Sequence, residues 1–400
     1  MHKPPERSGL DPAGHRLHED TAHLLAAGPA TPVELPGGVL AWSVTRYDVL
    51  RRLADDPRVS RDARQHWPGL GDLPPDWPLS PFLVSPTVLN AHGPDHRRLR
   101  AVMERAFTPG RTAALGANLR HRTEAYLEAL GTPGSGRVVD VRARYARVVA
   151  CETLCDLFGV PEDRWEQAVR AMRALLEPPS DPGAAASGAD ESMAFWAALL
   201  AEKAHLPGDD MTTTLVEAPD MTDEERLLAL VVTVAGGVPS ATDLITNAVI
   251  GLLRHPAQLR DVLGGAVPWQ AVVEETLRAD SPVRHMPLRY AVEDIDLGAG
   301  VLIRRGEPIV MGFGAGGRDP RRHPDDTDAF DVRRRDKDHV AFGHGVHRCV
   351  GEPLGRLEAE AALPDLFERF PGLRPAVPLE DLRPLPTFVF NGRTELPVRL

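Results

Sequence analysis

Cysteine is scarce in this chain of 400 residues, which holds three. Three thiols are too few for a disulfide framework, and they fit a reducing compartment. Excess positive charge is missing as well. Lys and Arg number 46 against 57 Asp and Glu, a net charge of −11, whereas a nucleic-acid partner needs a basic face. The first thirty residues include Lys3, Glu6, Arg7, Asp11, Arg16, Glu19 and Asp20, with no apolar run of signal or membrane length. No membrane partner and a cytoplasmic location are therefore expected. No internal repeat is visible. No Gly-x-Gly-x-x-Gly follows a strand pattern, and the cysteines cannot serve a cluster, so no flavin or iron–sulfur segment is expected in the chain.

What is present suffices for a globular protein with a sizeable core, with 42% hydrophobic and 26% charged residues. Length alone allows one large domain or two to three ordinary ones. The most informative stretch is Phe342 to Arg356, Phe-Gly-His-Gly-Val-His-Arg-Cys-Val-Gly-Glu-Pro-Leu-Gly-Arg. Gly343, Gly345 and Gly351 surround Cys349, and glycine at that density lets the backbone approach a bulky partner closely. Leu354, Leu357, Ala361 and Leu363 then recur at helical spacing, which predicts a helix from near Glu352. A thiol ahead of a helix N-terminus meets the positive dipole end and free N–H groups, both of which favour thiolate. Such a thiolate suits a soft metal or haem iron. Two plainer alternatives stand beside this: an inert core thiol, and a zinc cluster of His339, His344, His347 and Cys349.

Elsewhere helical text dominates. Residues 1 to about 35 look like a loose arm with one short helix around Leu17–Ala26. Val33–Leu35 and Val39–Val44, joined through Gly37-Gly38, read as a hairpin. Helices are predicted at Tyr47–Ala54, Asp95–Ala106, Arg111–Leu130, Val141–Leu157, Trp165–Leu176, Ser192–Ala204 and Asp223–Leu253, and Pro68–Pro81 as loop. Pro178 to Ala189 reads as a flexible connection, either a surface loop or a mobile lid. Thr222 and Glu225 form a capping box, and His255-Pro256 ends the long helix that follows. Pro239, with Gly236 and Gly237 before it, predicts a kink and a freed carbonyl at Ala235. Strands are expected at Leu288–Val292 and Ile295–Ile303, with a last hairpin from Phe388–Phe390, Asn391-Gly392 and Leu396–Leu400. The fold class is mainly α with a small antiparallel β region. Cys151 and Cys155 are taken as core thiols. Glu275 and Arg278, three apart on one helical face, would by spacing alone be a solvated ion pair.

The pattern Phe-Gly-x-Gly-x-His-x-Cys-x-Gly over residues 342–351 resembles the cysteine-ligand loop of the cytochrome P-450 haem-thiolate monooxygenases, in their soluble bacterial, actinomycete-like class. Nearly the whole chain follows the order of that fold, which implies a single haem-binding domain over 1–400 with an N-terminal arm over about 1–30 and no fused reductase. The resemblance implies haem b held through Cys349, with Phe342, His347 and Gly351 in the loop. It assigns the haem propionates to His96, Arg100, Arg289 and His347. It makes Glu275, Arg278 and Arg334 a buried structural network. In the long helix the family's acid and alcohol fall on Pro239 and Ser240, so the alcohol survives and the acid is lost. Pocket walls would include Val88, Leu89, Ala235, Gly236, Met286, Phe388 and Val389.

The implied activity is hydroxylation of a hydrophobic small molecule, a natural product or steroid-like compound, using O2. Electrons would come from NAD(P)H through a ferredoxin and ferredoxin reductase. Two alternatives remain open: oxidative cross-linking of aromatic residues in a peptide, prompted by Pro239, and a non-catalytic haem-thiolate ligand binder.

Overall fold

The longest element grows from its own N-terminus. In the computed structural model, which describes residues 8–400 except 75, 76 and 78, Thr222 accepts from the Glu225 backbone N–H while the Glu225 side chain accepts from the Thr222 N–H. That reciprocal cap opens a helix from Asp223 to Arg254, 32 residues and roughly 48 Å long at 1.5 Å per residue. By length and composition it is apolar enough to cross a membrane. Here its second half, from Ala241 to Leu252, is buried throughout, and it forms the spine of the molecule. Pro239 lies inside it, yet the helix continues through that position.

Six further helices frame the site: α1 Gly93–Ala106, α2 Pro109–Leu130, α3 Arg147–Phe158, α4 Pro182–Lys203, α6 Trp269–Ala279 and α7 Glu352–Arg369, the spine being α5. One apolar cluster packs the C-terminal half of α5 against α6 and α7, through Leu244, Val249, Val273, Leu277, Leu363 and Phe367. A second packs its N-terminal half against α1, α3 and α4, through Met103, Leu154, Trp196, Leu230 and Val238.

The sheet has six strands, β1 Ser8–Gly9, β2 Thr31–Leu35, β3 Val39–Val44, β4 Val59–Ser60, β5 Met286–Ala291 and β6 Pro308–Met311, in the order β1-β2-β3-β6-β5-β4. It is mixed: β1 runs parallel to β2, and β3 to β6, while the other neighbours are antiparallel. Gly37 and Gly38, both near φ +80°, turn the β2–β3 hairpin.

Four sequence expectations are corrected here. Residues 8–30 are not a loose arm, because β1 pairs with β2 and Leu10, Leu17, Leu24 and Leu25 enter the core; residues 1–7 lie outside the described part. Pro178–Ala189 is not one flexible connection. Asp181 caps the Ala184 N–H, Pro182 takes the first helical turn, and α4 runs on for 22 residues. Within Pro68–Pro81 the stretch Pro68–Asp72 forms a 3-10 turn, and residues 75, 76 and 78 are outside the described part. The C-terminal segments do not pair with each other. Phe390 bridges to Val283, whereas Pro397–Arg399 pairs with Val138–Asp140 and Arg374–Pro375.

Candidate functional site

The cysteine loop is built from backbone. Gly343 N–H donates to the Val340 carbonyl at 2.8 Å, and Cys349 N–H to the Phe342 carbonyl at 2.9 Å, so the loop closes on itself. Gly345 has φ +69°, and a Cβ there would come within 2.3 Å of the Ala54 carbonyl oxygen. That position requires glycine on both counts. Gly351 caps α7 at φ −84°, so its role is proximity: a Cβ would touch Phe107 at 3.5 Å and the Cys349 sulfur at 3.8 Å. Arg348, Glu352, Arg356 and Glu274 brace the outer face in a chain of ion pairs.

Cys349 keeps solvent-accessible surface, and Arg100 lies near enough for its charge to act on the thiol. Burial pushes the thiol up, while the N–H groups of Gly351 and Glu352 pull it down, and burial prevails. The N–H groups at the helix start act in the direction expected from sequence, but burial outweighs them. A coordinated metal ion reverses the balance, because a ligating thiol is deprotonated outright.

Around Arg100 gathers a cluster of nitrogen donors with little acid to match. His96 and Arg289 are 4% and 2% exposed, and His96 Nε2 and Arg289 Nε have no hydrogen-bond partner. The rings of His96 and His347 stand 4.1 Å apart. Burial, then the Arg100 charge, drives the His96 pKa down to about 4; burial, then Arg61 and Arg289, drives His347 lower still. Both shifts disfavour the imidazolium form in these surroundings. Arg100 pairs with Glu104 at 2.7 Å and donates to the Arg348 carbonyl at 2.5 Å, tying α1 to the residue before the cysteine. Buried polar groups are normally satisfied, so unpartnered donors on several elements fit a bulky ligand with carboxylates. Sequence reasoning missed a further member, Arg61, which is 3% exposed with Nε unpartnered.

On α5, Gly236 is exposed, with no atom within 4 Å of where a Cβ would be. Ser240 Oγ donates back to the Gly236 carbonyl at 2.6 Å. Pro239, having no N–H, leaves the Ala235 carbonyl without its helical partner. Val88, Leu89, Ala235, Met286 and Val389 keep accessible surface. Phe388 does not: at 4% exposure it packs in the core beneath the sheet, so it is a core residue and not a wall.

Glu275 and Arg278 are both fully buried and paired through two hydrogen bonds of 2.7 and 2.9 Å. Arg278 also donates to the carbonyls of Gly317, Thr327 and Ala329, and Glu275 accepts from the Asp331 N–H. Arg334 Nε lies 3.5 Å from Glu275, and its other nitrogens bind the Asp325 and Asp326 carbonyls. The three side chains thus pin the segment that leads into the cysteine loop. The zinc alternative does not assemble. His339 pairs with Glu274 and His344 with Asp55, while His347 faces His96, and no group of three potential ligands converges among the described residues. Cys151 and Cys155 are buried core thiols whose pKa burial raises.

A family model described as Cytochrome P450 matches residues 269–390. The 2-hydroxy-5-methyl-1-naphthoate 7-hydroxylase of Streptomyces carzinostaticus is 36% identical over 401 residues, covering 98% of this chain and 97% of that protein. Among solved structures, CYP154A1 from Streptomyces coelicolor A3(2) is 39% identical with a TM-score of 0.89, over 98% of this chain and 99% of the other. The testerone-bound CYP154C4 from Streptomyces sp. ATCC 11861 is 38% identical with a TM-score of 0.91, over 99% and 98%.

Proposed function

The chain belongs to the cytochrome P450 family and is a haem-dependent monooxygenase, and from that premise we propose that it hydroxylates a hydrophobic polycyclic or aromatic natural product, or a steroid-like compound. Haem b would be held by the Cys349 thiolate, with its propionates on His96, Arg100, Arg289 and His347. When bound, that group supplies O2 activation, and a thiolate ligand favours O–O cleavage. The protein residues then have separate tasks. Gly351 and Glu352 N–H groups fence the sulfur, and Gly345 lets the loop lie against Ala54. Gly236 leaves room over the pocket, while Val88, Leu89, Ala235, Met286 and Val389 supply apolar wall. Ser240 and the freed Ala235 carbonyl offer polar atoms for handing on protons where the family's acid is replaced by Pro239.

The single observation that carries this reading is an accessible Cys349 within range of the Arg100 charge, together with the buried, unpartnered His96 and Arg289 that Arg100 and His347 adjoin. The substrate class is supported by the naphthoate hydroxylase and the testerone-bound neighbour. We assign electron delivery to NAD(P)H through a ferredoxin and its reductase. We also assign a cytoplasmic location, because among the described residues the one helix apolar enough to span a membrane is half buried over its most apolar window, as the spine of the fold.

Loss of the acid at Pro239 favours a second reading, oxidative coupling of aromatic rings in a peptide. A ligand screen by the shift of the haem absorption, followed by turnover under isotopically labelled O2 with surrogate redox partners, tests both. The expected product gains one labelled oxygen atom. A product that loses two hydrogens and gains no label would overturn hydroxylation in favour of coupling.

A further inference from the structure

Arg61 directly follows β4. In the antiparallel pairing of β4 with β5, Val59 lies opposite Ala291 and Ser60 opposite Tyr290. Just beyond that pairing, Arg61 comes near enough to Arg289 for its charge to act on it. Like charges repel, and these two are 3% and 2% exposed. Water therefore screens neither of them.

Nothing nearby neutralises the pair. Arg61 Nη2 donates to the Pro287 carbonyl at 3.2 Å, and the Nε atoms of Arg61 and Arg289 have no partner. Among the described residues no carboxylate forms an ion pair with either. Burial first, and then the Arg61 charge, lowers Arg289 to about 9; burial lowers Arg61 to about 10, with Tyr290 opposing. Both guanidinium groups also act on His96 and on His347, so they converge on the cluster already described. A buried charge persists only when paired or hydrogen-bonded, so two such groups side by side mark a site for anionic oxygen. Arg100 has Glu104 at 2.7 Å, whereas Arg61 and Arg289 have no counter-charge and together suit one carboxylate of the cofactor.

On the premise of the haem site above, we propose that Arg61 is a carboxylate-binding residue of that site, holding a haem propionate jointly with Arg289. The motif resemblance does not assign it. A carboxylate on the substrate is the other source of the same chemistry, and the test separates the two.

Wild type, Arg61→Gln and Arg61→Lys are purified as holoproteins and first checked for a thiolate-type carbon monoxide band. A wild type lacking that band would overturn the monooxygenase reading itself. Transfer of haem to excess apomyoglobin is then timed. Arg61→Gln keeps a donor for the Pro287 carbonyl but no charge, and is expected to release haem about tenfold faster, as for loss of one charge-assisted hydrogen bond. Arg61→Lys keeps the charge without the fork and should fall between, roughly threefold faster. The reduction potential should drop in Arg61→Gln and hold in Arg61→Lys, because a cation beside the cofactor favours its reduced form. A purely structural Arg61 would leave the potential unmoved.

In the second arm, naphthoic acid and its methyl ester are titrated by absorption shift, and their affinity ratio should be the same in all three proteins. Unchanged haem release and potential in Arg61→Gln would overturn the proposal. If the acid alone then lost affinity, the carboxylate held by Arg61 would be the ligand's. Should Arg61→Gln not accumulate, Arg61→Lys decides, and wild-type haem release in that variant overturns the assignment.

Discussion

At the residue scale, Glu358 carries a pH dependence of its own. It is 4% exposed in α7, and burial pushes its carboxyl from 4.5 up to about 8, with only Thr153 pulling it down. The folded protein therefore holds a proton that the unfolded chain gives up. Stability from this group is present in full below about pH 4.5 and is lost as pH rises to about 8. Glu358→Gln should flatten the thermal midpoint across that window and raise it at pH 8 by at least about 2 °C; calorimetry at pH 5 and pH 8 checks this, and an unchanged slope contradicts it. Cys349 and its glycines were legible in the sequence because their chemistry is local, set by neighbours within ten residues. Arg61 was not. In Val-Ser-Arg-Asp it reads as a surface cation, and only strand pairing with residues near 290 turns it inward. Phe388 failed the other way, since an aromatic position beside a predicted wall can equally face the core.

At the scale of elements, α5 was read almost to the residue, because a capping box and a His-Pro stop are marked by side-chain chemistry. Pro239, where a kink was expected, lies within a continuous helical run. The thermodynamic cost remains even so, since a proline inside a helix costs about 3 kcal/mol relative to alanine. Pro239→Ala should return an N–H to the Ala235 carbonyl and raise the unfolding free energy by about 2 kcal/mol in urea titration. It should also lower the yield of product per reductant consumed, by removing the freed carbonyl. A more stable variant with unaltered coupling would leave the proline without a catalytic part. In α4 the Ala-rich stretch after Pro182 looked like a linker by composition. The decisive signal, Asp181 followed by Pro182, is an N-cap and first-turn pair that was present in the sequence and outweighed by the surrounding prolines.

Across the whole molecule, two distant parts are joined by the Glu275–Arg278–Arg334 network, which fastens α6 to the segment entering the cysteine loop. By spacing alone Glu275 and Arg278 looked like a surface pair, and burial of both is a tertiary fact that no local pattern contains. Glu275→Ala leaves the fully buried Arg278 without its counter-charge, at about 3–5 kcal/mol. The expected result is poor yield and low haem content per mole of protein, measured by pyridine haemochrome; normal content would contradict the network's role. The order of the six sheet strands and the division of the core about α5 were likewise not legible, because both depend on contacts far apart in sequence. The account rests most directly on Cys349 as the axial thiolate, and the carbon monoxide difference spectrum of the reduced protein tests it. Wild type should give the thiolate-type band and Cys349→Ala should lose it; the same band in both would mean that another residue holds the iron.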